Sequence, residues 1–261
     1  MGKAGRLSAI IITKNEEKNI EECLKSVEWA DEVVIVDDFS GDKTGEICKN
    51  HPKVKFYENK MTGFGQQKNY ALDKADGEWV LSVDADERVT PELKDEISEK
   101  IRQGDYNGYG LKRNNLIFGK WVMDSEPRNI RLFKKEKGKF TSKKVHESVL
   151  LDGSVGILEN PLLHFASSCG DLTSYIGVYV NQYSSYTADD LYDMGRRVTR
   201  RNWLLYLVAR PCAIFFKRYF LGKAYRQGMH GFFMCVLTAF TYFVSYAKLW
   251  EKEHEDTLHS K

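Results

Sequence analysis

The chain has no CxxC pair and no cysteine–histidine spacing that would build a zinc site. Its five cysteines, at positions 23, 48, 169, 212 and 235, are scattered. An odd, unpatterned set argues against a disulfide framework and for reduced thiols in a cytosolic setting. Net charge is also nearly absent: 39 Lys and Arg against 37 Asp and Glu leave +2. No chain-wide field therefore draws nucleic acid, which is not an expected partner. The N-terminus runs from polar residues straight into an apolar strand, so no signal peptide is expected. Residues 229–247 lack Asp, Glu, Lys and Arg altogether.

The stretch Trp79-Val80-Leu81-Ser82-Val83-Asp84-Ala85-Asp86-Glu87 organises what is present. A β-branched apolar run ends in three carboxylates, the pattern of a buried strand that delivers acids to the carboxyl edge of a sheet. In a strand, Asp84 and Asp86 would share a face; in a bend they can converge. Hard oxygen donors suit Mg²⁺ or Mn²⁺, which takes one or two protein carboxylates and completes its shell with water and phosphate. The plain alternative is a strand followed by a solvated acidic turn.

Upstream, strands over 7–13, 32–36 and 54–57 alternate with helices starting near Asn15, Asp42 and Gln66, with Asn15 as the N-cap of the first. This alternation predicts a doubly wound α/β domain with a mainly parallel sheet. Ligands of such sheets sit beyond the carboxyl strand ends, where strand order reverses. Three strand ends supply polar residues: Asn15 and Glu16, then Asp37 and Asp38, then Asp84 and Asp86. A helix follows Pro91, with Leu93, Ile97 and Ile101 on one face. Beyond Gly104 shorter strands are expected near 109–113, 129–133 and 145–149.

From about residue 168 the chain becomes helical and aromatic. Tyr175, Tyr179 and Tyr183 fall on one helical face, most simply a packing face. An apolar run over 203–216 is broken by Arg210-Pro211, and Lys217, Arg218, Lys223 and Arg226 follow. The uncharged nineteen residues at 229–247 are just long enough to span a bilayer, but Gly231, Thr238, Thr241 and Ser245 dilute them. The expectation is a helical pair lying in an anionic membrane interface. A true span and a soluble helical subdomain remain alternatives.

The ordered motifs Ser8-Ala9-Ile10-Ile11-Ile12-Thr13-Lys14-Asn15-Glu16, Val34-Ile35-Val36-Asp37-Asp38-Phe39-Ser40, Gln67-Lys68-Asn69, the 79–87 stretch, Arg131-Leu132-Phe133 and Val145-His146-Glu147 resemble those of the family 2 glycosyltransferases with the GT-A fold. The resemblance is greatest to the branch that adds glucose to lipopolysaccharide inner core. It covers about the first 165 residues and, more loosely, Tyr246-Ala247-Lys248-Leu249-Trp250-Glu251. It implies a Rossmann-like GT-A catalytic domain over 1–165, with 1–104 the nucleotide-sugar half and 105–165 the acceptor half. Residues 166–261 would form a helical, membrane-associating region.

That resemblance also implies roles. Asp84-Ala85-Asp86 matches the DxD motif: Asp86 would bind Mg²⁺ or Mn²⁺, and Asp84 would reach the ribose or the metal. Asp37 would bond uracil, with Thr13, Asn15 and Glu16 lining the nucleoside pocket and Lys68 a cation near the nucleotide. By its own chemistry Arg131, whose guanidinium fork suits phosphate oxygens, would pair with the diphosphate or an acceptor phosphate. Glu147 would be the catalytic base. His146, His164 and Glu87 are further candidates, His164 as an added metal ligand and Glu87 with a helix cap as its plain alternative. The implied activity is inverting transfer of a sugar from a UDP-sugar to a lipid-linked saccharide at the cytoplasmic face of the inner membrane. Competing readings are a phosphorylatable receiver-like signalling domain, using the Asp37-Asp38 pair, and an inactive membrane-bound sugar-nucleotide-binding protein. A nucleotidyltransferase would need a Gly-rich loop where Lys14-Asn15-Glu16-Glu17 stands.

Overall fold

A computed structural model describes residues 5–123, 129–141, 148–165 and 170–254. The chain divides into two compact units, Met1–Ser167 and Ser168–Lys261. The first unit runs β1 (Leu7–Thr13), α1 (Ile20–Val27), β2 (Glu32–Asp37), α2 (Thr44–Lys49), β3 (Val54–Glu58), α3 (Phe64–Lys74), β4 (Trp79–Ser82), β5 (Glu87–Arg88), α4 (Pro91–Gln103), β6 (Gly108–Ile117), β7 (Lys120–Met123), β8 (Asn129–Lys134), β9 (Gly138–Phe140), β10 (Val149–Leu151) and β11 (Val155–His164).

β1, β2 and β4 are short runs of β-branched and large apolar residues, almost wholly buried, as strands covered on both faces must be. Their side chains alternate between two cores. Ala9 and Ile11 pack with Ile20, Leu24, Leu93 and Ile97, on the side of α1 and α4. Ile10 packs with Ala71, Leu72 and Phe133, on the side of α3. α1 presents Ile20, Cys23, Leu24 and Val27 inward, the i, i+3, i+4, i+7 stripe of an amphipathic helix. α4 has a full set of end signals: the Thr90 hydroxyl accepts from the Leu93 amide, Pro91 opens the first turn, and Gly104 closes the helix at φ 67°.

The sheet has nine strands in the order β3-β2-β1-β4-β8-β6-β11-β5, with β7 paired to β6. The first four are parallel. β8 then inserts antiparallel between β4 and β6, and β6 and β11 run parallel again. A receiver-like domain, built on five parallel strands, does not accommodate this antiparallel insertion. β1 lies between β2 and β4, so strand order reverses there and a crevice opens beyond the carboxyl ends of these strands.

In the second unit, α5 (Leu172–Tyr175), Ile176–Tyr183 and α6 (Ser184–Asp193) form one helical run whose middle is π-wound. Tyr175, Tyr179 and Tyr183 stack in succession at 4.7 and 5.1 Å, as their spacing predicts. Arg210-Pro211 interrupts the apolar run in sequence but not the helix. The π-wound Leu204–Ala209 passes directly into α7 (Arg210–Phe216), so Pro211 lies inside a continuous helical run. α8 (Met229–Glu253) has 25 residues. By length and composition it could cross a membrane, and only 22% of its most apolar window is buried. A small core of Ala188, Val198, Tyr206, Tyr246 and Leu249 holds the unit together. Lys248 reinforces it by donating to the Asn181 carbonyl at 2.6 Å.

Candidate active site

The loops after β1 and β2 interlock. Asn15 does not cap α1, which starts five residues later after a turn. It sits instead in the left-handed region at φ 55°, a conformation that asparagine tolerates better than most residues. There its backbone amide donates to the Ser40 hydroxyl at 2.8 Å and its side-chain Oδ1 accepts from the Gly41 amide at 2.9 Å. The Glu16 amide donates to Thr44 and the Glu17 amide to Asp42. Asp37 is buried and accepts from Thr13 Oγ1 at 2.7 Å, the Ser40 amide at 2.6 Å and the Ser40 hydroxyl at 2.6 Å. It therefore anchors the loop. Asp38 accepts from the Met61 amide and pairs with Lys14 at 3.5 Å. Glu16 faces the crevice beside Asn19; burial pushes its carboxyl up despite that hydrogen bond, and the Asp86 charge adds to the rise.

β4 ends at Ser82, so Asp84 and Asp86 lie in a bend rather than a strand. They part company there. Asp84 is clamped: Lys68 Nζ of α3 lies 2.9 Å from one oxygen and Arg131 Nη2 of β8 lies 3.0 Å from the other. Both cations are buried. Burial opposes the Asp84 charge, but Arg131 and Lys68 outweigh it and hold the carboxyl well below the usual range. Arg131 also reaches Glu87 at 3.1 Å. Glu87 is fully buried and its other oxygen accepts from the Asp84 amide at 2.8 Å. Burial pushes the Glu87 carboxyl up even beside Arg131. Glu87 is no helix cap, since Thr90 fills that position.

Asp86 meets a residue 78 positions downstream. β11 returns beside β5 with His164 opposite Glu87, and His164 Nε2 lies 3.3 Å from Asp86 Oδ2. The Phe165 amide donates to the Asp86 carbonyl at 2.8 Å, which fixes the approach. Burial favours a neutral His164 ring, but the hydrogen bond and charge of Asp86 lift it above its usual value. On the same face, β6 adds two residues that sequence reasoning missed. Arg113 lies 3.6 Å from Glu87, and Asn115 Oδ1 lies 2.8 Å from His164 Nδ1. No alternation marks them, since 112–115 reads Lys-Arg-Asn-Asn, an unbroken polar run within β6.

Among the described residues no three His, Cys, Asp or Glu side chains converge on one point. The donor set still suits a hard divalent ion that relies on substrate phosphate. Asp86 is partly exposed and offers carboxylate oxygens, and His164 adds a nitrogen beside it. Asp84, its charge already met by two cations, is the poorer ligand. His146 and Glu147 lie outside the described residues.

The comparisons agree with this architecture. The model of the glycosyl transferase family 2 matches residues 8–150. The lipopolysaccharide core biosynthesis glycosyltransferase LpsC of Rhizobium meliloti is 30% identical over 94% of this chain and 92% of its own length. The poly(ribitol-phosphate) β-N-acetylglucosaminyltransferase TarS of Staphylococcus aureus is 40% identical over 34% of this chain and 18% of its own length. The crystal structure of S. aureus TarS 1–349 with UDP-GlcNAc superposes with a TM-score of 0.54 at 17% identity, covering 96% of this chain and 92% of that one. A strand-order reversal lined with carboxylates, a GT-A-like mixed sheet and a family match over more than half the chain lead to one assignment: the protein is a glycosyltransferase and belongs to glycosyltransferase family 2.

Proposed function

We propose that the enzyme transfers a sugar, with inversion and with the help of Mg²⁺ or Mn²⁺, from a UDP-sugar to a lipid-linked saccharide such as lipopolysaccharide core. The observation that carries this reading is the divergence of the two DxD carboxylates. Asp84 is locked by Lys68 and Arg131, while Asp86 is left facing the crevice with His164. S. aureus TarS crystallises in complex with UDP and with UDP-GlcNAc, and the Rhizobium relative is a lipopolysaccharide core biosynthesis glycosyltransferase. Glucose as the donor sugar follows from the sequence resemblance alone.

On this reading the loops after β1 and β2, with Thr13, Asn15 and Glu16, form the nucleoside pocket. A carboxylate has about four acceptor positions; Asp37 uses three within the loop and keeps one for the uracil imide N–H. Lys68 and Arg131 hold Asp84 toward the ribose and lend positive charge near the diphosphate. Asp86 and His164 would hold the metal, which offsets charge on the departing diphosphate. Glu147 takes the proton of the acceptor hydroxyl as that oxygen attacks the anomeric carbon. The new C–O bond forms on the face opposite the one being broken, and UDP leaves with the bonding pair. Alignment of acceptor and donor supplies much of the remaining acceleration.

The second unit is the membrane-facing part of this proposal, at the cytoplasmic face of the inner membrane. Phe216, Phe220, Leu221, Phe233 and Phe240 are exposed, next in sequence to Lys217, Arg218, Lys223 and Arg226. Apolar side chains beside cations suit an anionic lipid surface.

The deciding experiment is calorimetric titration with UDP, with and without Mn²⁺, followed by a panel of UDP-sugars. Metal-dependent UDP binding that vanishes in Asp86→Ala supports the donor site, and UDP binding indifferent to both Mn²⁺ and Asp86 defeats it. Glu147→Gln should bind UDP normally and transfer nothing. Full turnover in that variant removes Glu147 as the base.

A further inference from the structure

We propose that Asn115 is a positioning residue that fixes the ring tautomer of His164 and so aims the Nε2 lone pair at the point Asp86 faces. Asn115 stands on β6 between Val122 of β7 and His164 of β11. Its Nδ2 donates to the Val122 carbonyl at 3.2 Å. A backbone carbonyl can only accept, so the amide nitrogen faces Val122 and Oδ1 is turned toward His164. That oxygen lies 2.8 Å from His164 Nδ1. An amide oxygen also only accepts, so Nδ1 carries the hydrogen. When the ring is neutral it has a single N–H, which leaves a lone pair on Nε2, 3.3 Å from Asp86 Oδ2; protonation turns that contact into the hydrogen bond that raises the ring above its usual value. The ring is nearly buried and is held at Nδ1 by Asn115, so it has little freedom to reorient.

A nitrogen lone pair and a carboxylate oxygen at that separation repel unless a cation joins them. The opposite tautomer would aim a hydrogen at Asp86 and remove the nitrogen donor. Imidazoles that bind metals generally donate their other N–H to such a partner, and loss of the partner weakens metal binding about 10- to 100-fold. The use of the lone pair for a metal rests on the function proposed above; the tautomer assignment does not.

The test uses the full chain labelled with ¹⁵N-histidine. Long-range ¹H–¹⁵N correlation spectra are recorded without metal at alkaline pH, where the ring is neutral, and His164 is assigned by its loss in His164→Gln. The expected result is an Nδ1–H tautomer in the wild type, retained in Asn115→Asp, which keeps an acceptor. Asn115→Leu and Asn115→Ala should shift toward Nε2–H or a mixture. An Nε2–H ring in the wild type overturns the proposal without any variant. So does an Nδ1–H ring unchanged in a folded Asn115→Leu or Asn115→Ala protein. Mn²⁺ titration in the presence of UDP then separates the two ideas. Affinity about 10- to 100-fold lower in Asn115→Leu and near normal in Asn115→Asp supports both. Affinity unchanged in His164→Gln overturns the metal reading while the tautomer result stands.

Discussion

Replacing Arg131 with methionine tests how the carboxylate cluster is held together. The guanidinium is buried and lies 3.0 Å from Asp84 and 3.1 Å from Glu87. Removing one partner of a buried pair costs about 3–5 kcal/mol, because the other charge is stranded. Three effects soften this here. Arg113 remains 3.6 Å from Glu87, and Glu87, already pushed up by burial, can take up a proton. Asp84 also retains Lys68. The net expectation is about 2–4 kcal/mol, or a urea midpoint lower by roughly 1–2 M for an m-value near 2 kcal/mol/M. Hydrogen exchange at the amides of β4 and β8, followed against urea, confines the readout to the first unit. The double variant Arg131→Met/Glu87→Gln removes the stranded charge and should recover at least about 1 kcal/mol. A loss below about 1 kcal/mol in the single variant, or additivity within about 0.5 kcal/mol in the cycle, would refute the reasoning.

Three further outcomes follow from the same structure. Glu32 is buried at the opposite end of β2 and bonds Ser8 Oγ, the Asp76 amide and Lys55. Burial opposes its charge, but these partners pull the carboxyl from an ordinary 4.5 down to about 2. A folded value below the unfolded one stabilises fully above pH 4.5, and that contribution, on the order of 3 kcal/mol, fades as pH falls toward 2. Glu32→Gln should therefore be less stable than wild type at neutral pH, with the gap closing in acid; a constant gap across that range contradicts this. Gly77→Ala should destabilise by about 1–3 kcal/mol, since a Cβ there would sit 2.6 Å from the Ser8 backbone nitrogen; an unchanged thermal midpoint would show that the loop before β4 yields freely. Phe233→Glu combined with Phe240→Glu should reduce sedimentation with anionic liposomes severalfold, and undiminished co-sedimentation argues against α8 as the lipid contact.

Much of the first unit was legible because local rules and tertiary structure agree there. β1, β2 and β4 are β-branched runs, and α1 and α4 repeat their apolar residues at helical spacing. Asp84 and Asp86 stood out because a β-branched apolar run ends in them. What each carboxylate does was not legible, because bend geometry sends them apart and their partners are distant in sequence. Arg131 stands 47 residues from Asp84, and nothing in its own neighbourhood marks it as buried. His164 reaches Asp86 only because the two-residue β5 pairs with β11, and a strand so short has no periodicity to read. Asn15 looked like a cap because side-chain type was considered without its backbone angle. Its φ of 55° turns it toward the neighbouring loop instead.

The insertion of β8 between β4 and β6 bears on how the protein is made. Trp79 pairs with Lys134 across β4 and β8, while Leu7 pairs with Trp79 across β1 and β4, so the centre of the sheet closes over long loops. Such contacts form late and slowly. A ribosome that has released only the first hundred or so residues presents β4 as an unprotected edge, the geometry that invites strand-to-strand aggregation. At that stage Asp84 and Glu87 also lack the guanidinium that balances them. The nascent polypeptide thus remains exposed to misassembly until the Arg131 segment emerges, and the same event that seals the sheet completes the carboxylate cluster.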